Sequence, residues 1–422
     1  MDDALLTQDV QASPEVAVQA RRQLEVFLQP LLISLDQHLD ARLVRILVHT
    51  IVALLQWRNR PHGLLLSELG AYVLSPAHAP AGTKRLSNLL RSAKWAATDI
   101  TSYLWQRADS RLKELAVAGE EALVIWDSSV LEKPESLASP DLGSIRSSKA
   151  RRLTRIKPGY YSPPSRPIFV PGWHWLGLLL LGRDGQSGPP EVATMRWWTN
   201  RGPHQSDRRA EELDLLIQVT RRWGRRVCHV WDRGFAGSPW LKEALARHVR
   251  FVARWPGCYR LLGEQTGWQP ANAWQLVRGK RSWDHRLLWD ARRHCERRIG
   301  VLAAPVWAPD DRTHVSALWF VVARRGRGQE PWYLLTSEPI QSVEDAWRIV
   351  YSYARRWQIE IVHPHMTKPN GGTRASGGED RADLDVAVAD NDTLNQEFDE
   401  CAPLLEGRLV QPAADLGTKR RE

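Results

Sequence analysis

Two short runs of the chain end alike: "VIWDSS" puts Asp127 after an apolar stretch and a tryptophan, and "HVWDRG" does the same with Asp232. The carboxyl ends of strands are where α/β sheets hold their chemistry. A carboxylate there is a hard oxygen donor, able to share Mg²⁺ with a second one. A third acid, Glu360, closes "YARRWQIE", in which Tyr353, Arg356 and Glu360 stand at i, i+3 and i+7 and share one helical face. An aromatic ring, a cation and a carboxylate together suit a site that grips phosphate beside a metal. Each residue also has a plainer reading. Aspartate often opens the turn after a strand. Arg356 and Glu360 at i, i+4 also form an ordinary surface pair worth about a few tenths of a kcal/mol.

These residues need a scaffold, and the chain has length for one. It has 422 residues, 43% hydrophobic and 25% charged, which permits two or three domains with a substantial core. Its net charge is +10. Residues 361–422 hold 7 Lys and Arg against 12 Asp and Glu, a net −5, so residues 1–360 carry +15. All 21 tryptophans lie in that body and none in the tail. They read as core residues first and base-stacking platforms second. So basic a body points to a polyanionic partner, nucleic acid foremost, with a solubilising surface as the alternative.

The four cysteines, Cys228, Cys258, Cys295 and Cys401, form no CxxC pair and no zinc spacing. They read as reduced thiols of a cytosolic protein. The start, "MDDALLTQDVQASPE", lacks the features of a signal peptide, and the longest apolar run, "WLGLLLLG", is too short for a bilayer. No membrane role is expected.

Residues from about 16 to 118 read as helical. "LDARLVRILVHTIVALLQW" has helical apolar spacing, and "TKRLSNLLRSAKW" offers Thr83 as a cap and Lys84, Arg85, Arg91 and Lys94 as a basic surface. That surface fits DNA contact or simple solvation equally. From "EALVIWDSS" the texture becomes mixed. Leu123–Trp126 reads as a short strand, "RPIFVPGWHWLGLLLLG" and "EVATMRWWT" as two strands joined by "RDGQSGPP", and "SDRRAEELDLLIQVTRRW" as a helix capped by Ser206. A strand ending at Asp232, a helix with Pro239 in its first turn and the strand "RFVARW" follow. Residues 256–336 read as a β-rich insertion. Ser342–Glu360 reads as a long helix with Ser342 as cap and Asp345 in its first turn. The loop from Arg146 to Arg166, with Arg151, Arg152 and Arg155 among its cations, could lie along DNA or be solvated.

"YARRWQIE" resembles the front of the Tyr-x2-Arg-x3-Glu-x6-Lys motif of bacterial insertion-sequence transposases of the family four type. These are DDE enzymes with a ribonuclease-H-like core. "LLTSEP" before the last helix, "WDRGFAG" and "WDSSVLEKP" are similar to other parts of that pattern, and the resemblance spans about residues 20–360. It implies an α/β fold: a ribonuclease-H-like mixed-sheet catalytic core, begun in residues 119–255, interrupted by the insertion and closed by a final catalytic helix at 337–363. An all-α DNA-binding domain precedes it at 1–118. It implies Asp127, Asp232 and Glu360 as a catalytic triad holding two Mg²⁺ or Mn²⁺ ions. Such ions, about 3.5–4 Å apart, clamp the attacking and leaving oxygens of an in-line displacement. Tyr353 and Arg356 would contact phosphate. The implied partners are double-stranded DNA, as terminal inverted repeats and target, and a second copy of the chain in the DNA complex. The implied location is the cytoplasm, at the nucleoid when active.

The pattern asks for lysine at position 367, where the chain has Thr367, with Lys368 one step off. Pro364 disfavours a continuing helix. The Trp- and Arg-rich composition stops at the same place. A change of reading frame near codon 360 accounts for all three facts, and makes residues 364–422 an acidic tail with the makeup of disorder. A natural short variant is the alternative. The expectation is thus a DNA transposase whose present activity is open, with a nuclease lacking strand transfer, a DNA-binding remnant or a basic structural protein as rivals.

Overall fold

The computed structural model describes residues 14–37, 39–56, 66–133, 141–147, 167–202, 205–290, 295–311, 317–324, 326 and 330–356. It divides the chain into two compact units, with the boundary between Gln106 and Arg107. No helix among the described residues is long and apolar enough to cross a membrane.

The first unit is helical, as expected. It holds α1 (Pro14–Asp36), α2 (Ala41–Gln56), α3 (Leu66–Val73), α4 (Ala79–Leu90) and the start of α5 (Ala97–Val117). Leu35, Leu39, Ile46, Val73, Leu86 and Leu89 form its core. Asp40 starts α2, its Oδ1 accepting from the backbone N–H groups of Arg42 and Leu43 at 3.1 Å. Thr83 does not cap α4. The helix starts four residues earlier with proline in its first turn, and the Thr83 hydroxyl bonds back to the Ala79 carbonyl at 2.9 Å. Helices α3 and α4 approach as closely as two backbones allow. A Cβ on Gly82 would lie 2.0 Å from the Gly70 carbonyl oxygen, so only glycine fits.

The second unit is a mixed α/β body built on a ten-stranded sheet. Its elements are β1 (Ala122–Glu132), β2 (Gly143–Arg146), β3 (Phe169–Gly182), β4 (Glu191–Trp198), α6 (Arg208–Trp223), β5 (Val227–Trp231), α7 (Ser238–Ala246) and β6 (Phe251–Arg254). Then come β7 (Arg260–Leu261), β8 (Ala271–Asn272), β9 (Asp284–Asp290), β10 (Cys295–Val306), β11 (Leu318–Arg324), β12 (Trp332–Thr336) and α8 (Val343–Ala354). The sheet runs β2-β3-β1-β5-β6-β12-β11-β10-β9, with β4 also on β3. β1, β5 and β6 are parallel, and the other pairings are antiparallel. Residues 256–336 are β-rich, but β9 to β12 continue the edge of this same sheet. Only β7 and β8 pair apart from it.

Both faces of the sheet are covered. Leu123, Ile125, Cys228, Val230 and Val252 pack with Trp347, Val350 and Tyr353 of α8. On the other face Trp126 and Trp231 meet Trp240 of α7, with ring centroids 5.9 and 5.4 Å away. The alternation of a strand sends neighbouring residues to opposite faces and makes this possible. Asp207, not Ser206, caps α6, accepting from Arg209 and Ala210 N–H. Ser342 and Asp345 form the reciprocal capping box of α8.

Candidate active site and nucleic-acid interface

β1 and β5 pair in parallel over four residues each, ending at Ile125 opposite Val230. Asp127 and Asp232 each stand two residues further on. They share a height on adjacent strands and, by alternation, the face of Ile125 and Val230. The arrangement is not quite the expected one. β1 does not end at Asp127 but runs to Glu132, paired with β3 along its whole length, so Asp127 is a mid-strand residue opposite Gly177. Asp232 lies just beyond β5 in extended conformation, its Oδ1 accepting from the Gly234 N–H at 2.8 Å. Asp127 is 5% exposed and Asp232 half-buried.

The floor behind this pair is aromatic. Trp126 and Trp231, the residues before the two aspartates, join Phe235, Trp240 and Phe251 in one cluster. Buried His229 accepts a 2.9 Å hydrogen bond at Nδ1 from the Trp126 indole, and burial pushes its pKa from 6.5 down to about 3. The tryptophans thus act as core here, as their composition suggested. They fix the height at which both strands present their carboxylates.

Glu360, the third expected acid, lies outside the described residues, as do Arg151, Arg152 and Arg155. Tyr353 and Arg356 are both 0% exposed. Tyr353 meets the Trp332 ring edge-on at 5.4 Å within the α8 core. A phosphate could reach either side chain only from inside the fold. The end of α8 is fastened beside the amino end of β1. Arg355 Nε donates to the Arg183 carbonyl at 2.8 Å, next to the pair Ala122–Gly182 and five register positions from Asp127 opposite Gly177.

Two carboxylates suit Mg²⁺ or Mn²⁺ by donor chemistry, since both ions prefer oxygen. Among the described residues no three His, Cys, Asp or Glu side chains come together as a metal cluster.

One residue near this rim escaped the sequence reading. Glu212 of α6 is 0% exposed, held by Arg208 Nε at 2.5 Å and Arg209 Nη1 at 2.8 Å. The run "SDRRAEELD" looks like a solvated helix start, and its charge pattern gives no sign of a buried acid. In the first unit Lys84, Arg85, Arg91 and Lys94 are all exposed. Arg85 and Arg91 line a cleft of about 690 Å³ with Asn88, Ser92 and Asp40, and with Arg42 and Arg45 of α2. Lys94 borders that cleft, its ammonium 3.5 Å from Asp40 of the lining.

No family model matches the chain, and no curated protein matches it. A solved piggyBac transposase synaptic complex with hairpin DNA is 12% identical with a TM-score of 0.39, covering 89% of this chain and 74% of that one. The NurA nuclease from Sulfolobus solfataricus is 8% identical with a TM-score of 0.25, covering 74% of this chain and 98% of that one. Likenesses this loose carry no weight for the fold or activity of this chain.

Proposed function

We propose that the chain is a metal-dependent DNA-cutting and DNA-joining enzyme, an insertion-sequence transposase of the DDE type. The observation that carries this reading is the level placement of Asp127 and Asp232 on adjacent parallel strands, two residues past their last paired residues. With Glu360 they would hold two Mg²⁺ or Mn²⁺ ions. Such ions supply a nucleophile at neutral pH and neutralise charge on the oxygens of an in-line displacement. The protein's part is to orient and to exclude water. Asp127, 5% exposed and paired with Gly177 of β3, would keep its carboxylate at a fixed height. Asp232 is steadied by the Gly234 N–H. Tyr353 and Arg356, enclosed in the core, would act through the placement of the segment leading to Glu360. Arg42, Arg45, Lys84, Arg85, Arg91 and Lys94 would grip duplex DNA through phosphate contacts. Arg151, Arg152 and Arg155 would add to that grip, with terminal repeats and target as the duplexes and a second copy of the chain at the other end.

The test is cleavage of a duplex DNA end by the full chain with Mg²⁺. Asp127→Asn and Asp232→Asn should each lower the rate by about a hundredfold or more, the loss of several kcal/mol of charge stabilisation. Unchanged rates would sink the reading. One observation favours a second reading, a remnant that binds DNA without cutting it. The described end of α8 is tied to Arg183, beside the amino end of β1 and five register positions short of Asp127. On that reading the full chain binds duplex DNA and cuts none with either metal. Replacing residues 361–422 with the other frame, so that lysine stands at position 367, would then restore cleavage.

A further inference from the structure

Two arginines open α6, at the end of a helix where the macrodipole disfavours positive charge. The structure holds them there with a fully buried acid. Glu212 accepts from Arg208 Nε through Oε1 and from Arg209 Nη1 through Oε2, one turn along the helix. The two guanidinium groups then part. Arg209 lies over the Trp240 ring at 5.5 Å. Arg208 lies over Phe235 at 5.6 Å and reaches the Gly234 carbonyl at 3.3 Å with Nη2. A methyl group placed on Gly234 would touch Arg208 Nη2 and Asp232 Oδ1 at 3.0 Å each, so both groups crowd the same side of that glycine. Arg208 stays 47% exposed, and its Nη1 makes no hydrogen bond among the described residues.

We infer that Arg208 binds a phosphodiester group of the nucleic acid beside Asp232, and that Glu212 is the residue that positions it. This rests on the reading of Asp127 and Asp232 as a metal-holding pair. With Nε held by Glu212 and Nη2 by the Gly234 carbonyl, the planar guanidinium is fixed in place and has Nη1 left to donate to a phosphate oxygen. Glu212 explains its own burial this way: an enclosed carboxylate needs charged partners, and these partners sit at the rim of the site. Gly234 fits the same arrangement, since a Cβ there would crowd Arg208 Nη2 and Asp232 Oδ1, and each would have to give by a few tenths of an ångström.

The experiment uses the full chain, Mn²⁺ and thymidylyl-thymidine, which carries one phosphodiester. Mn²⁺ affinity is followed by electron paramagnetic resonance. Proximity of the phosphodiester is followed by Mn²⁺ broadening of its phosphorus resonance, and its affinity is also titrated without metal. Arg208→Ala should weaken dinucleotide binding by roughly tenfold or more, as expected for removing one charge-assisted hydrogen bond. Its Mn²⁺ affinity should stay within about twofold, because Arg208 is not a ligand. Arg208→Lys should recover part of the loss. Arg209→Ala should behave as wild type in dinucleotide binding, although it too removes a partner of Glu212. Equal dinucleotide affinity in wild type and Arg208→Ala would overturn the assignment, whatever the metal does. Mn²⁺ binding that survives Asp127→Asn with Asp232→Asn would instead overturn the carboxylate reading, and is seen separately.

Discussion

Trp126 donates its indole N–H to Nδ1 of His229, across the parallel strands that carry Asp127 and Asp232. Indole nitrogen is only a donor, so this bond requires His229 to be neutral with its proton on Nε2. Protonation at Nδ1 would break the bond and bury a charge.

A pH dependence follows from that bond. His229 titrates at 6.5 when exposed and at about 3 in the fold. Above 6.5 both states hold it neutral and its contribution is complete. Between 6.5 and about 3 only the unfolded chain takes the proton, so stability falls as pH falls, by at most about 1.4 kcal/mol per pH unit. His229→Gln keeps an acceptor for Trp126 and removes the titration. Denaturant melts of both proteins between pH 7 and 4 check this, and the gap between them should shift in favour of the variant as pH drops. A gap that does not move would count against neutral, buried His229.

The packing of α3 on α4 gives a second test. Gly82→Ala places a methyl 2.0 Å from the Gly70 carbonyl oxygen, and backbone cannot yield as a flexible side chain would. A loss of about 1–3 kcal/mol is expected from the forced shift. Helical circular dichroism through a urea titration measures it, and an unchanged midpoint would show that the helices stand further apart.

DNA binding offers a third. The triple variant Arg42→Ala, Arg85→Ala, Arg91→Ala removes three cations of the cleft in the first unit. The slope of log affinity against log salt should become shallower by roughly two to three, near 0.9 for each phosphate that is no longer neutralised. Fluorescence anisotropy with a duplex of arbitrary sequence at three salt concentrations reads this directly. An unchanged slope would place the phosphate-binding cations elsewhere.

A fourth concerns the ion network at the amino ends of the strands. Arg250 Nε and Nη2 meet Glu338 at 2.9 and 2.5 Å, and Nη2 also meets Glu121. Arg250→Met would take this cation from the largely enclosed Glu338, while Glu121 keeps its pairing with Arg183. A cost of about 2–4 kcal/mol is expected at neutral pH, somewhat under the range for fully buried pairs because Arg250 is 20% exposed. Thermal melts of both proteins at pH 7 would show it, and equal midpoints would mean that the network adds nothing to stability.

Much of this was legible in the chain itself. Apolar runs gave β5, β6 and the β3–β4 hairpin, Pro239 and Ser342 marked helix starts, and the paired "WD" runs fell on neighbouring strands. What stayed hidden had physical reasons. "DSSVLE" is too polar to read as strand, yet it pairs with β3 because backbone hydrogen bonds do not depend on side chains. Thr83 looked like a cap from its residue type and the apolar spacing after it, but α4 starts at Ala79 with proline in its first turn, where proline is at home. Asp207 outcompeted Ser206 by one position, within the usual play of helix ends. Which strand β12 would join is a long-range choice that no local pattern contains. Glu212 was missed because burial of an acid depends on partners that fold over it.

The four-residue ladder between β1 and β5 has a consequence in time. It joins segments about a hundred residues apart in the chain, while the β3–β4 hairpin closes over a few residues. Closing so long a loop is entropically costly and comes late unless nearer pairings shorten it. Asp127 and Asp232 therefore meet only when the central strands have locked. The place proposed to hold metal is thus among the last parts of the second unit to form.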